Sequence, residues 1–534
     1  MPRGIDAFDP ENRLVFATGV GTGATVPGSG RHSVGAKSPQ SGGFGEGESG
    51  GFWGAELKRA GWDAIVVQGR ANKPVYLWIE DDRVELRDAS HLWGKITGEV
   101  ESTLQAELGD ARVRVAQIGP AGERLVRYAC VVNDLNEMAG RSGLGAVMGS
   151  KLLKAIAVRG HKRAPVANPA GLQSVAKWVA ETMDEQHYNF HHFGTGAALA
   201  GKQLEGHLIV RNFRDGQLAE YDRIDARAIA SGPRVGMAGC YACSVRCKKR
   251  VRLEEPYRVD PKYGGPEYET IGAVGTDLAM VDLPTLCKAN EVMNYLGLDT
   301  ISTGGTIAWA MECFELGLLT EADTGGLKLA WGDGQVLLQL IDLIGRREGF
   351  GDLLAEGALR AARKIGRDTE KYVVHAKGLE AGMHDPRGMA DQKTNFALSP
   401  TGADHTAAAT YRTSIRNTVG VCMFLRYDEP KLLGIVNDVT GLNLGLTDLE
   451  AVAERGLTMV RLFNLREGLT RADDRLPWRF HQPLAMGPLS DHRIPEAEIA
   501  QMVTDYYVAR GWDAETGVPT AETVDRLGVA EYAR

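Results

Sequence analysis

The sequence predicts an α+β protein, a β-rich N-terminal domain followed by two mostly helical domains. Three observations predict it. As far as residue 165, short runs rich in β-branched residues alternate with glycine-rich turns. After Pro169, apolar residues recur at spacings of three and four. From Val374 onward, glycine-rich loops lead into a last set of helices. The expected domains are residues 1–165, 166–375 and 376–534.

Asp63-Ala-Ile-Val-Val-Gln, Pro74-Val-Tyr-Leu-Trp-Ile, Arg112-Val-Arg-Val-Ala-Gln and Leu153-Lys-Ala-Ile-Ala-Val read as strands. A helix over Gly98 to Leu108 interrupts them. The helical pattern then covers Leu172 to Met183, Leu283 to Tyr295, Thr306 to Leu318, Gln335 to Ile344 and Leu353 to Ile365. Leu449 to Leu465 and Glu496 to Arg510 close the chain. The sequence shows no internal repeat.

A chain of 534 residues exceeds one ordinary core. A formal net charge of −8, with no basic run, argues against a nucleic-acid partner. Met1-Pro-Arg-Gly-Ile-Asp lacks the apolar stretch of a secretory signal, and no apolar run is long enough to span a membrane. Seven cysteines, three of them clustered, fit a reducing cytoplasm.

Two stretches are built like phosphate cradles. One runs from Thr18 through a series of glycines to Arg31, followed by Lys37-Ser-Pro and Glu48. The other is Ala139-Gly-Arg141-Ser-Gly-Leu-Gly-Ala-Val-Met-Gly-Ser-Lys151. Neither has the spacing of a P-loop or of a dinucleotide fingerprint. Exposed backbone N–H groups beside an arginine nonetheless suit phosphate oxygens, and two such loops suit a ligand with more than one phosphate.

The densest chemistry is Cys240-Tyr-Ala-Cys243-Ser-Val-Arg-Cys247. Thiolates this close in a non-secreted protein point to metal binding rather than to disulfides. The spacing suits zinc and an iron–sulfur cube equally, and both need a fourth ligand. Two further segments echo each other: Asn294-Tyr-Leu-Gly297-Leu298-Asp299 and Asn417-Thr-Val-Gly420-Val421-Cys422. One such segment is an ordinary helix end with glycine in the left-handed conformation. Two, each ending in a residue able to meet a metal or a ring nitrogen, suggest a ligand with two similar halves. The second half would lie beside the thiolate cluster, which makes Cys422 the fourth ligand. Cys130, Cys287 and Cys313 fall in apolar patterns and read as core residues.

These segments, with Gly54 to Gly61, Gly265-Pro-Glu-Tyr-Glu269, Gly297 to Gly304, Asp385-Pro-Arg-Gly388 and Gly402-Ala-Asp-His405, carry a resemblance over nearly the whole chain. The sequence resembles the aldehyde:ferredoxin oxidoreductase family of tungsten enzymes. The resemblance implies one tungsten, or molybdenum, held by two pyranopterins. It also implies a [4Fe–4S] cluster on Cys240, Cys243, Cys247 and Cys422, which decides between iron–sulfur and zinc. The implied reaction oxidises a small aldehyde to the carboxylic acid. Electrons would leave to ferredoxin or to an iron–sulfur electron-transfer subunit. Glu269 matches the family's active-site glutamate and His405 its active-site histidine. They are expected to act as general base and carbonyl polariser, with burial raising the Glu269 pKa toward neutrality. Arg31 and Arg141 are expected on the pterin phosphates. Asn294, Gly297, Leu298, Asp299, Asn417 and Gly420 are expected around the pterins.

The chain also departs from the family pattern. Asn294 and Asn417 stand where aspartate is frequent. Glu48 stands where asparagine helps hold magnesium, a role a carboxylate can take. Lys288-Ala-Asn-Glu291 replaces the Glu-x-x-His of an intersubunit iron site, so a homodimer would lack that iron. The segment between His405 and Cys422 is short, and the part it lacks is expected to line the substrate channel in the family. The start, Ile5-Asp-Ala-Phe-Asp-Pro, omits β-structure that relatives place ahead of it, which is expected to expose an edge of the N-terminal sheet. Two alternatives accompany the aldehyde reading. One is a related tungsten enzyme that reduces the ring of an aryl-CoA thioester. The other is a non-catalytic iron–sulfur subunit.

Overall fold

The computed structural model describes residues 1–406 and 410–533. The N-terminal part holds two sheets. In the first, β1 (Leu14–Thr18), β2 (His32–Lys37), β3 (Phe44–Ser49) and β4 (Ala64–Val67) pair antiparallel in the order β3-β2-β1-β4. The second contains β5 (Val75–Glu80), β6 (Arg83–Asp88), β7 (Arg114–Gln117), β8 (Val131–Asn133), β9 (Glu137–Ala139) and β10 (Leu153–Arg159). Its order is β6-β5-β10-β7-β8-β9, with β10 parallel to β5 and antiparallel to β7. Alternation along β1 sends Leu14 and Phe16 inward. They meet Val34, Trp53, Leu57, Val131, Leu144 and Ile156 in one core.

The sequence reading names β4, β5, β7 and β10 but not β1, β2, β3, β6, β8 or β9, and in β3 the glycines disguise the strand. Phe44-Gly-Glu-Gly-Glu-Ser alternates strictly, burying Gly45, Gly47 and Ser49 on one face. A Cβ on Gly47 would lie 3.1 Å from the Ala139 backbone, so glycine lets β3 close on β9. Glu46 and Glu48 then share the opposite face.

The helical part follows its apolar periodicity. Helices Pro169–Glu181, Leu283–Leu296, Gly334–Arg346, Leu446–Arg466 and Glu496–Ala509 lie close to their expected positions. Asp282 and Asp333 cap two of them, accepting from Thr285 and from Gln335 and Val336. Two expectations need correction. The helix read as Thr306 to Leu318 runs Thr300–Glu315, because Asp299 caps it through the Ile301 N–H. The helix read as Leu353 to Ile365 is broken into Phe350–Leu354 and Ala358–Ile365, with Gly357 at φ +85° between them. A single apolar core containing Ile271, Trp309, Ile341, Phe396, Phe480 and Trp512 joins the middle and last parts of the chain. Cys287 and Cys313 are buried within it, as read from sequence. Among the described residues, no helix is long and apolar enough to cross a membrane.

Candidate active site and thiol cluster

A cavity of about 280 Å³ opens between the β-rich part and the helices. Its wall brings together Arg31, Glu48, Arg141, Glu269, Asn294, Asp299 and Asn417, seven residues far apart in sequence. Arg31 follows the glycine-rich loop and its Nε lies 3.7 Å from Glu48 on β3. Burial works against the Arg31 charge, but Cys422, Glu48, Cys240 and Glu137 together outweigh it and raise its pKa. Burial raises Glu48, with Arg31 opposing, and pushes the neighbouring Glu46 up to about 7. Arg141 Nε lies 3.1 Å from Asp299 Oδ2, and burial pushes the Asp299 carboxyl up to about 6 against the pull of that arginine. Arg31 Nε, Arg141 Nε and Nη1 and Asp299 Oδ2 are buried without an aligned hydrogen-bond partner. Buried polar atoms of this kind are costly unless a ligand satisfies them.

The two echoed segments adopt the same backbone solution. Helix Leu283–Leu296 ends at Gly297 with φ +74°, and helix Tyr411–Val419 ends at Gly420 with φ +79°. Each glycine presses on a glycine of the β-rich part. A Cβ on Gly119 would lie 2.1 Å from Leu296 O, and one on Gly19 would lie 2.4 Å from Gly420 Cα. Backbone hydrogen bonds fix both contacts: Cys130 N–H to Gly297 O, and Gly21 N–H to Val419 O. Leu298 is fully buried and bridges to Ala129. Asn294 donates to Tyr263 O at 2.8 Å while lining the cavity.

Cys240 and Cys243 and Cys247 sit in the loop between two paired strands, β11 (Arg234–Ala238) and β12 (Lys248–Val251). With Cys422 they line one second cavity, and all four are free thiols. Arg31, Gly50, Glu137, Lys248 and Glu267 line both cavities, so the two abut. Burial pushes the Cys247 thiol up to about 12 and raises Cys240 and Cys243 as well. Thiols so placed stay protonated unless a metal displaces the protons. The arrangement therefore fits a tetra-thiolate metal group.

Glu269 lies in the first turn of helix Tyr268–Val274. Its Oε2 accepts from Met383 N–H at 2.8 Å. Its Oε1 lies 2.9 Å from His384 Nε2 and 3.4 Å from His405 Nε2, without an aligned donor. The two imidazoles stack with centroids 5.0 Å apart. The expected rise in the Glu269 pKa is wrong in direction. Burial does push it up, but His405, His384 and the Met383 N–H outweigh burial and hold it well below the usual carboxylate range. Burial pushes His384 down to about 4 and Lys202, behind it, down to about 8. The ligand atoms of Glu269, His384 and His405 lie within 4.8 Å of one another. The Lys202 ammonium lies 3.0 Å from His384 Nδ1, on the side of the ring away from Glu269. His384 was missed in the sequence although it directly precedes Asp385-Pro-Arg-Gly388, and Lys202 carries no sequence signal. Residues 407–409, in the short segment between His405 and Cys422, lie outside the described residues.

The family model for the aldehyde ferredoxin oxidoreductase N-terminal domain matches residues 1–160, and that for domains 2 and 3 matches residues 172–529. The chain is 36% identical to a tungsten-containing aldehyde ferredoxin oxidoreductase of Pyrococcus furiosus, over 99% of this chain and 92% of the relative. It is 32% identical, over 99% of this chain and 90% of the relative, to a protein of the same organism described as an aliphatic sulfonate oxidoreductase, WOR-like subunit. Among solved structures it is similar to the active-site complex of a benzoyl coenzyme A reductase bound to 1,5-dienoyl-CoA. There the TM-score is 0.83 at 25% identity, over 99% of this chain and 90% of the other. The chain belongs to the aldehyde ferredoxin oxidoreductase family of enzymes.

Proposed function

We propose that the chain oxidises an aldehyde to the carboxylic acid at a tungsten or molybdenum centre held by two pyranopterins. A [4Fe–4S] cluster on the four thiols would pass the electrons to ferredoxin or an iron–sulfur electron-transfer subunit. The observation that carries the reading is the shared wall. Arg31 faces both the cavity that holds Glu269 and the cavity lined by the four thiols. The 36% identity to tungsten-containing aldehyde ferredoxin oxidoreductases supports the same chemistry.

The unpartnered Arg31 and Arg141 nitrogens fit pterin phosphates, because a guanidinium fork matches phosphate oxygens. Asn294 and Asp299 would meet one pterin, and Asn417 with the Gly420 turn the other. Glu48 would hold a magnesium between the phosphates. Cys240, Cys243, Cys247 and Cys422 would hold the cluster. When bound, the metal centre supplies a two-electron oxidation and the cluster releases the electrons singly. Glu269 stays ionised at neutral pH and takes the proton of the attacking water at Oε1. His405 directs Nε2 at the carbonyl oxygen and polarises it. Residues 1–165 hold the phosphate loops, 166–375 the cysteine run and first pterin segment, and 376–534 His405 and Cys422. The reading places the protein in a reducing cytoplasm. Lys288 pairs with Glu291 at 2.6 Å in place of an intersubunit iron site.

A second reading, ring reduction of an aryl-CoA thioester, is favoured by the likeness to the benzoyl coenzyme A reductase complex. One assay separates the two. Anaerobically purified protein is offered aliphatic and aromatic aldehydes and, separately, 1,5-dienoyl-CoA, each with oxidised viologen. Dye reduction by aldehydes alone is expected. Dye reduction by the dienoyl-CoA alone would reverse the assignment.

A further inference from the structure

Lys202 is the buried cation behind the proposed acid–base group. It lies on helix Leu199–Glu205 and is 6% exposed. Its Nζ meets three electron-rich partners: His384 Nδ1 at 3.0 Å, Met389 Sδ at 3.0 Å and the Tyr268 ring at 5.1 Å. An ammonium donates and cannot accept. His384 Nδ1 must therefore be the acceptor, and the ring proton sits on Nε2. That atom lies 2.9 Å from Glu269 Oε1. A flipped tautomer would set an N–H against the ammonium and a lone pair against the carboxylate, two repulsive contacts in a buried pocket.

We propose that Lys202 is a positioning residue that locks His384 in the Nε2–H tautomer, facing Glu269. The proposal rests on Glu269 being the proton acceptor, but the lock itself exists whatever the substrate. Its role is directional. A neutral imidazole with Nε2 on the Glu269 side supports that carboxylate in its ionised form, and it can take part in handing a proton outward only if Nδ1 is released. The charged and titratable groups facing this pair are Glu269, His405, Asp385, Asp391 and Glu205. Burial and Lys202 hold His384 neutral at pH 7, while Glu269 opposes them.

The test is the ¹⁵N spectrum of the full-length protein labelled at histidine, with the His384 signals identified by their loss in His384→Gln. The expected spectrum shows His384 as the Nε2–H tautomer with Nδ1 accepting a hydrogen bond. Lys202→Met should convert it to a tautomer mixture, and Lys202→Arg should restore the native pattern. His384 protonated at Nδ1 in the unsubstituted protein overturns the proposal even if neither Lys202 variant folds. So does an unchanged tautomer in folded Lys202→Met. The spectrum is read without turnover, so a failed aldehyde assay leaves this result standing. In folded, cofactor-loaded protein, Lys202→Met should also shift the pH profile of dye reduction, and Lys202→Arg should return it.

Discussion

The two helix ends at Gly297 and Gly420 solve one problem in the same way and then part. Both place a left-handed glycine against a glycine of the β-rich part, at Gly119 and Gly19. Beyond the glycine the chemistry differs. Asp299 turns back to cap helix Thr300–Glu315 and meets Arg141. Cys422 follows Gly420, accepts no such capping role, and joins the three thiols of the β11–β12 loop. The backbone thus fixes where each half approaches the cavity. A single side chain then decides whether that half presents a carboxylate or a thiol.

The largest expected effect is catalytic and asymmetric to this pair. Glu269→Gln should lower aldehyde-dependent viologen reduction by about 10²–10⁴-fold, typical for loss of a general base. Metal content on the same sample should not change. A fully loaded variant turning over at the parent rate would make Glu269 a structural carboxylate.

The comparison breaks most directly at the thiol half. Cys422→Ala should lose or convert the cluster, read as iron per chain, whereas Cys287→Ala should leave it unchanged. Equal iron in both variants contradicts the four-thiol assignment.

At the glycine contacts the two halves should fail alike. Gly19→Ala and Gly119→Ala each force a Cβ into backbone, for which overpacking costs of about 1–3 kcal/mol are typical. Both should lower the urea midpoint by comparable amounts. A tolerated Gly19→Ala beside a damaging Gly119→Ala would show that the halves are not equivalent.

A smaller effect concerns phosphate anchoring. Arg31→Lys keeps the charge and loses the fork, so the pterin content of purified protein should fall. Unchanged occupancy counts against the role.

The smallest effect is electrostatic and confined to the Gly297 half. In cofactor-free protein, burial pushes Asp299 up to about 6 from an ordinary 3.8. The folded state then keeps a proton that the unfolded chain releases, so this group's contribution to stability declines as pH rises from 3.8 to 6. Asp299→Asn should flatten the denaturant midpoint over that window, and an identical slope in both proteins would contradict it.

Much of this was legible in the sequence because it is local. Three cysteines in one loop, a helix ending at Gly297 and an arginine after a glycine run each announce themselves within a few residues. Cys422 is marked by the echo of the Asn294 segment in the Asn417 segment, whereas Glu269 needed the family resemblance, since it does not stand out in its own segment. What stayed hidden depends on residues meeting across the fold. Lys202 has no motif, and its position is set by packing beside Tyr268 and Met389. The direction of the Glu269 shift was misjudged because burial was visible in the sequence and the second imidazole was not. Strand β3 was hidden because alternating glycine reads as a loop until β9 is brought against it.

The central claim is that a pterin-bound metal centre and a thiolate-bound cluster occupy abutting cavities and together oxidise aldehydes. Metal analysis of anaerobically purified protein, with aldehyde-dependent viologen reduction on the same sample, tests it most directly. The account predicts one tungsten or molybdenum and roughly four irons per chain, the iron of a single tetra-thiolate cube, with dye reduced only when aldehyde is present. Zinc in place of iron, or full metal loading with no aldehyde-dependent reduction, would contradict it.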